Sequence, residues 1–233
     1  MIRLWPMPML MLILLAAVAA SSGAPQPPGT LDAVFAHMDQ AAATFKGLTA
    51  DIRQVSHTEV VNKDDIEEGT ITVRRAKPKD TRILVNFSKT SQAQHQIAGG
   101  KYLSYNPKTG EAQEADLDKA SRSLVNQFML LAFGSNSGEL KNAYTIKLGG
   151  PDVVDGEKTT RLEMVPKSAD ILKYIKRCDM WISEKGMTLQ QKFDEGQGDY
   201  LLATYAHMKV NPNIPESAVK LELPKGVKPT KLK

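Results

Sequence analysis

The side chains that most often perform chemistry are sparse in this sequence. Its histidines lie far apart, none pairs with another at metal-ligand spacing, and no HExxH motif occurs. They are His37, His57, His95 and His207. A zinc hydrolase of that type needs two such imidazoles on one helix face, because both must reach the same metal ion. The histidines therefore indicate no metal site.

Motifs for nucleophiles and phosphates are also missing. The segment 134–138, GSNSG, has Asn136 at the position where a nucleophile elbow needs serine, and it follows a predicted helix instead of a strand. Gly99-Gly100-Lys101 lies between two predicted strands and is typical of a tight hairpin, not of a phosphate loop. We predict that the protein is not an enzyme and holds no cofactor.

Two carboxylate pairs precede Gly69, and we interpret them as charges in a polar loop. They are Asp64-Asp65 and Glu67-Glu68. A calcium site would need several oxygens converging on one point, which two neighbouring pairs alone do not indicate.

Cys178 is the single cysteine, which excludes an internal disulfide framework and a cysteine-based zinc finger. It alternates with Arg177 and Asp179 and shares its side of a predicted strand with Met180 and Ile182. This pattern predicts a buried structural thiol, not a nucleophile.

The composition is typical of one globular domain, with 233 residues, 42% hydrophobic and 24% charged. Residues 9–20 contain no polar side chain and follow Arg3, a pattern typical of a secretory signal peptide. We predict a signal peptide over residues 1–20, cleaved near Ala20, with an uncleaved anchor as the alternative. Residues 21–29 are proline-rich and are predicted to form a flexible spacer. The net charge of +4 is too small to indicate a nucleic-acid partner.

The elements that must position any site are mainly strands. A helix is predicted from Leu31 to Phe45, because apolar residues recur at helical spacing after the N-cap residue Thr30. A second helix over 118–133 is apolar on nearly all sides, followed by a flexible exit at 134–138. Strands are predicted at 49–60, 69–75, 81–87, 94–98, 101–105, 143–148, 158–165, 175–183, 187–193, 200–210 and 218–223. Short connections between them imply antiparallel pairing in a large curved sheet or open barrel, with helices against one face.

This order of elements resembles the LolA-like family of outer-membrane lipoprotein carriers. The matching stretches are FKGLTADIRQ (45–54), GTITVRRAKPKDTRILVNF (69–87), GGKYLSYNP (99–107), LEMVP (162–166), MWISEKG (180–186) and LELPKGV (221–227). The resemblance implies a mainly β fold with helices (α+β), an unclosed antiparallel β-barrel of about 10–11 strands with a helical lid. It would span residues 30–227, with a basic tail at 228–233.

The resemblance also implies a function and its site. A periplasmic carrier of this family is a chaperone that shields lipoprotein acyl chains during transfer toward the outer membrane. It works between an inner-membrane donor complex and an outer-membrane acceptor, and we expect a monomer. The implied lid helix includes Leu124, Val125, Phe128, Met129 and Leu131. Residues that line the cavity or fill a core are Ile71, Val73, Ile83, Val85, Phe87, Leu162, Met164 and Trp181.

In this family an arginine just before a proline, at the end of an early strand, donates hydrogen bonds to lid carbonyls and stabilises the closed form. In this sequence Lys77 directly precedes Pro78, and the arginines at the end of the strand lie two or more residues earlier. The first candidate is Arg75, because its planar guanidinium suits paired carbonyls, and the alternatives are Arg74 and Lys77. No residue pattern reads a lipid head group. The alternative function is therefore a periplasmic module on the same scaffold that binds or senses lipid or glycolipid.

Overall fold

The computed structural model describes residues 29–77, 80–117, 133 and 136–231. The helices in these ranges are α1 (Leu31–Thr44), α2 (Ser137–Ala143) and α3 (Ala169–Leu172), with 3-10 turns at Glu59–Val61 and Glu216–Val219. The first six strands are β1 (Gly47–Thr58), β2 (Lys63–Lys77), β3 (Asp80–Asn86), β4 (Gln94–Ala98), β5 (Lys101–Asn106) and β6 (Glu111–Asp116). The others are β7 (Tyr144–Val154), β8 (Glu157–Pro166), β9 (Arg177–Ser183), β10 (Thr188–Gly196), β11 (Asp199–Val210) and β12 (Thr230–Lys231).

All twelve strands belong to one sheet, in the order β12-β6-β5-β4-β3-β2-β1-β11-β10-β9-β8-β7. Neighbours are antiparallel except β12, which pairs parallel to β6. In the described residues β12 and β7 form the two edges, so the sheet is not closed. The predicted fold class, a mainly β unclosed antiparallel sheet with helices, is confirmed, and the sheet has one strand more than the upper expected number.

Helix α1 forms where the sequence predicts it. The side chain of Thr30 accepts a hydrogen bond from the backbone N–H of Ala33 at 3.2 Å, which satisfies one of the donors left free in the first turn. Val34, Phe35 and Met38 are its buried residues. This spacing puts one apolar face against the sheet, as the helical periodicity requires.

The carboxylate pairs before Gly69 do not lie in a loop, so that interpretation is wrong. Strand β2 already begins at Lys63 and pairs with β1 without interruption from Thr58↔Lys63 through Ile52↔Gly69. The polar run obscured the strand because both of its faces stay largely exposed at this end of the hairpin.

Two further expectations are wrong. The predicted exit at 134–138 is not wholly irregular, because Asn136 caps α2 and forms a capping box with Glu139. The predicted strand at 218–223 is instead the 3-10 turn Glu216–Val219 followed by unpaired chain. Strand β6, EAQEAD, is not predicted from its sequence, since only pairing with β5 makes this polar segment a strand.

The signal peptide, the lid-helix residues and all of the spacer except Gly29 lie outside the described residues. Of the predicted second helix, the structure describes Phe133 alone. No helix in the described ranges is both long and apolar enough to cross a membrane.

Gly186→Ala is expected to lower the free energy of unfolding by roughly 2 kcal/mol. Gly186 turns the β9–β10 hairpin at φ +74°, and an added Cβ would lie 2.1 Å from the carbonyl oxygen of His37 in α1. Gly156→Ala is the matched control, because Gly156 has φ +82° and open space around it. Urea unfolding measures the free energy of unfolding of both variants. Equal decreases in the two variants would show that the close approach to α1 does not cause the destabilisation.

Candidate functional site

Five predicted cavity residues share one face of β2 and β3. Ile71 pairs with Val85 and Val73 with Ile83, so these side chains lie side by side. Phe87 belongs to the same cluster, and all but the half-buried Val85 are at most 3% exposed. We call this group cluster 1, which also contains Phe45, Leu48, Ala50, Ile52, Phe133, Met187, Ala203 and Tyr205.

A second apolar group, cluster 2, lies on β8, β9 and β10. It contains the predicted residues Leu162 and Met164, both 0% exposed. Helix α1 and helix α2 cover it. Its other members are Val34, Phe35, Met38, Leu140, Tyr144, Cys178, Met180, Ile182 and Phe193.

The two clusters lie on the same face of the sheet. The strand register pairs Ala203 with Gln191, Gln191 with Met180, and Met180 with Leu162. Cross-strand partners point to the same side, so this row connects cluster 1 to cluster 2 across four strands. All four residues are 0% exposed. The face, which we call the helix-covered face, is therefore continuous from β3 to β8.

Trp181 does not join the other seven predicted cavity residues. It lies between Met180 and Ile182 on β9, and successive side chains in a strand point to opposite faces. Its neighbours are Val154 and Leu189, in a separate cluster. The indole Nε1–H donates to Asp152 Oδ2 at 2.7 Å, and this hydrogen bond is the main cause of a lowered pKa at that carboxyl.

Arg75 binds the segment in which the lid helix is predicted. Its Nη2 donates to the backbone carbonyl oxygen of Phe133 at 3.2 Å, and its Cζ lies 5.0 Å from the ring centroid of Phe45. Burial lowers the pKa of Arg75, opposed by the negative charge of Glu139. An arginine stays protonated despite such a shift, because its ordinary pKa lies far above neutral pH. Arg75 therefore offers a charge-assisted hydrogen bond at this point.

The alternatives for the lid contact point elsewhere. Arg74 Nε donates to the carbonyl oxygen of Ile214 at 3.2 Å, and Lys77 is exposed at the end of β2. Among these three basic residues, only Arg75 contacts Phe133 in the part of the chain that is described. The predicted lid residues Leu124, Val125, Phe128, Met129 and Leu131 are outside it.

Phe133 is held by its ring as well as by its carbonyl. The ring is 2% exposed and meets the ring of Tyr205 edge to face, with centroids 5.0 Å apart. Just beyond, Ser137 donates its backbone N–H and its hydroxyl to the two carboxylate oxygens of Asp39 on α1, at 2.5 and 2.8 Å. The chain is thus fixed to the helix-covered face where the predicted lid ends.

Sequence reasoning did not identify Phe45, Gln191 and Tyr205. Phe45 ends the predicted first helix, where nothing marks it as a partner of an arginine. Gln191 lies two residues before Phe193 on β10, so the two side chains share a face of the strand. A polar residue on this apolar face is the feature of the sequence that could have identified Gln191.

Cys178 is a buried free thiol, as predicted. It is 1% exposed, and burial raises its pKa to about 12, so it remains protonated. The structure shows no group of three or more histidine, cysteine, aspartate or glutamate side chains that could hold a metal ion within the described ranges.

Two histidines, His57 and His95, have pKa values shifted in opposite directions. Protonated His57 donates from Nδ1 to Asp64 at 2.7 Å and from Nε2 to Glu59 at 3.1 Å, which raises its pKa above 6.5. His95 is the cross-strand partner of Val85 and packs against Phe87 on the helix-covered face, and its partial burial lowers its pKa. The stabilisation from His57 is complete below pH 6.5 and is lost as the pH rises through the folded-state pKa. NMR titration should place the two pKa values on opposite sides of 6.5, and Asp64→Asn should lower that of His57 alone.

The unclosed antiparallel sheet with helices against one face agrees with the fold that the resemblance to the LolA-like family implies. No protein-family model and no curated protein matches the sequence. The chain is similar to an uncharacterized conserved protein from Thermus thermophilus, with 10% identity, 86% of this chain and 98% of that chain covered, and a TM-score of 0.52. Identity at this level shows a shared fold only.

Two other solved structures have lower TM-scores. The lipoprotein LppX from Mycobacterium tuberculosis has 14% identity and a TM-score of 0.49, with 80% of this chain and 99% of that chain covered. A LolA superfamily protein from Nitrosomonas europaea has 10% identity and a TM-score of 0.39, with 82% of this chain and 98% of that chain covered.

Proposed function

We propose that this protein is a periplasmic carrier that shields the acyl chains of a lipoprotein, or of another lipid, during transfer toward the outer membrane. The observation that supports this most is the continuous, mainly apolar face from β3 to β8, with Phe133 held over it by Arg75. Seven side chains form the proposed acyl contacts, namely Ile71, Val73, Ile83, Val85, Phe87, Leu162 and Met164. Trp181 is left out because it lies on the opposite face.

The energetics of acyl binding explain why such a face would be closed when empty. Each buried CH₂ contributes about 0.8 kcal/mol, so several buried acyl chains would exceed the ceiling of roughly 20 kcal/mol on non-covalent affinity. A carrier must also release its cargo. If the lid segment occupies the face first, incoming acyl chains must displace its contacts, which lowers their net affinity.

The hydrogen bond from Arg75 to Phe133 stabilises the closed form, in which the lid segment covers the face. A hydrogen bond to a charged group contributes about 1.5–3 kcal/mol. This energy favours the closed form alone, so it is subtracted from the binding energy of the cargo. We propose that the lid consists of Leu124, Val125, Phe128, Met129 and Leu131 and their neighbours, and that Arg75 closes it.

The proposed chain organisation follows the same assignment. Residues 1–20 direct export and are removed, 21–29 form a spacer, 30–227 form the lipid-binding domain, and 228–233 form a basic tail. The carrier works without catalysis, as a monomer, and exchanges cargo with an inner-membrane donor and an outer-membrane acceptor.

Native mass spectrometry of the protein purified from the periplasm tests this function. We expect a complex with an acylated molecule, whose mass distinguishes a lipoprotein from a lipid or glycolipid. Protein that carries nothing and also fails to bind a fluorescent fatty acid would contradict the proposal.

A further inference from the structure

Gln191 is a fully buried polar residue in the middle of the helix-covered face. It is 0% exposed and lies between Ala203 on β11 and Met180 on β9. Its Nε2 donates to the hydroxyl oxygen of Tyr205 at 2.8 Å. Its Oε1 has no hydrogen-bond partner in the described part of the chain. An acceptor without a donor in an apolar interior is costly, and an apolar side chain of similar volume would avoid that cost.

Tyr205 offers the complementary group beside this oxygen. It is 2% exposed, and burial raises the pKa of its hydroxyl, so the proton stays bound at neutral pH. The hydroxyl oxygen accepts from Gln191, while its own proton is available to an acceptor. The two residues therefore place one hydrogen-bond donor and one acceptor next to each other.

Tyr205 lies directly beneath Phe133, the residue that Arg75 holds. The ring of Phe133 packs edge to face on the ring of Tyr205, with 5.0 Å between centroids. Displacing Phe133 would therefore uncover Tyr205, with Gln191 hydrogen-bonded to it. A ligand that opens the lid would reach this polar pair within an otherwise apolar surface.

We propose that Gln191 and Tyr205 recognise a hydroxyl group on an acyl chain, which makes hydroxylated acyl chains the preferred ligands. This inference rests on the proposed function. A ligand hydroxyl donates to Gln191 Oε1 and accepts from the Tyr205 O–H, so a single oxygen satisfies both groups. A carboxylate only accepts, and a trans secondary amide has its N–H and C=O pointing in opposite directions. A bare methylene chain leaves both groups unsatisfied.

Competition binding with four 16-carbon acids tests this proposal. The probes are palmitic acid and three hydroxypalmitic acids, with the hydroxyl near the carboxylate, at mid-chain or near the methyl end. Against the wild-type protein, we expect at least one hydroxylated acid to bind roughly tenfold more tightly than palmitic acid, from two hydrogen bonds less the hydration lost by the hydroxyl. Gln191→Leu should abolish the preference and retain palmitic acid binding.

Tyr205→Phe keeps the ring contact with Phe133 and removes only the hydroxyl, so it tests the pair if Gln191→Leu fails to fold. We expect it to reduce the preference several-fold. Equal binding of all four acids to the wild-type protein, or an unchanged preference in either variant, would overturn the recognition of a hydroxyl and leave the carrier function standing. If palmitic acid and the hydroxylated acids all fail to bind, the proposed function falls too.

Discussion

Arg75→Leu is expected to bind acyl chains roughly 10- to 100-fold more tightly than the wild-type protein and to release them more slowly. The factor corresponds to the loss of one charge-assisted hydrogen bond, about 1.5–3 kcal/mol, from the closed form. That bond joins Arg75 Nη2 to the carbonyl oxygen of Phe133. Without it the empty face is less well covered, so incoming acyl chains have less to displace. Displacement of a fluorescent fatty acid gives both the Kd and the release rate.

Arg74→Leu is the matched control for this experiment. Arg74 is the preceding residue on β2, and its side chain donates to Ile214 instead of Phe133. We expect its Kd and release rate to stay close to those of the wild-type protein. The same change in both variants, or none in Arg75→Leu, would contradict a specific closing role for Arg75. A handover assay with an acceptor protein should show impaired release by Arg75→Leu alone.

Leu162→Ala is expected to destabilise the empty protein by about 3 kcal/mol. Leu162 is 0% exposed and packs in cluster 2 beneath α1 and α2. Truncating a side chain in such a position removes apolar burial and leaves a void, so both terms act against the folded state. Leu162 already has packing partners before any ligand binds, and the ligand must replace them.

Leu148→Ala provides the comparison, because Leu148 is the cross-strand partner of Leu162 on β7 and is 39% exposed. Leu148→Ala should lower the free energy of unfolding by less than about 1 kcal/mol. Urea unfolding without ligand measures both variants. A similar, small effect at the two positions would mean that Leu162 faces an open cavity in the empty protein. This result would contradict the proposal that incoming acyl chains displace existing packing contacts.

Local patterns predicted those parts of the fold that local physics determines. The N-cap Thr30, the apolar spacing of α1 and the glycines of the hairpins act within a few residues, so they can be read from the sequence. Strand β6 could not be predicted, because EAQEAD becomes a strand only through pairing with β5. The start of β2 at Lys63 was missed for a similar reason, since pairing with β1 determines it.

Part of the candidate site was predictable, because successive side chains along a strand point to alternate faces of the sheet. Ile71 and Val73 on β2 lie together with Ile83 and Val85 on β3, as alternation suggests. Tertiary packing determines which face of β9 contacts the helices. Because Trp181 and Met180 are both hydrophobic, the sequence alone could not show that they lie on opposite faces. The contact between Arg75 and Phe133 spans 58 positions and was suggested only by the family resemblance.

The most direct test of the central claim is whether bound acyl chains touch the helix-covered face. The sequence has two tryptophans, Trp5 in the predicted signal peptide and Trp181 on the opposite face of the sheet. Brominated palmitic acid quenches tryptophan only at contact. In the chain without residues 1–20, we expect saturating ligand to leave the emission of Trp181 unchanged and to quench a tryptophan introduced by Val85→Trp in a Trp181→Phe background. Quenching of Trp181 with no quenching at position 85 would contradict the account.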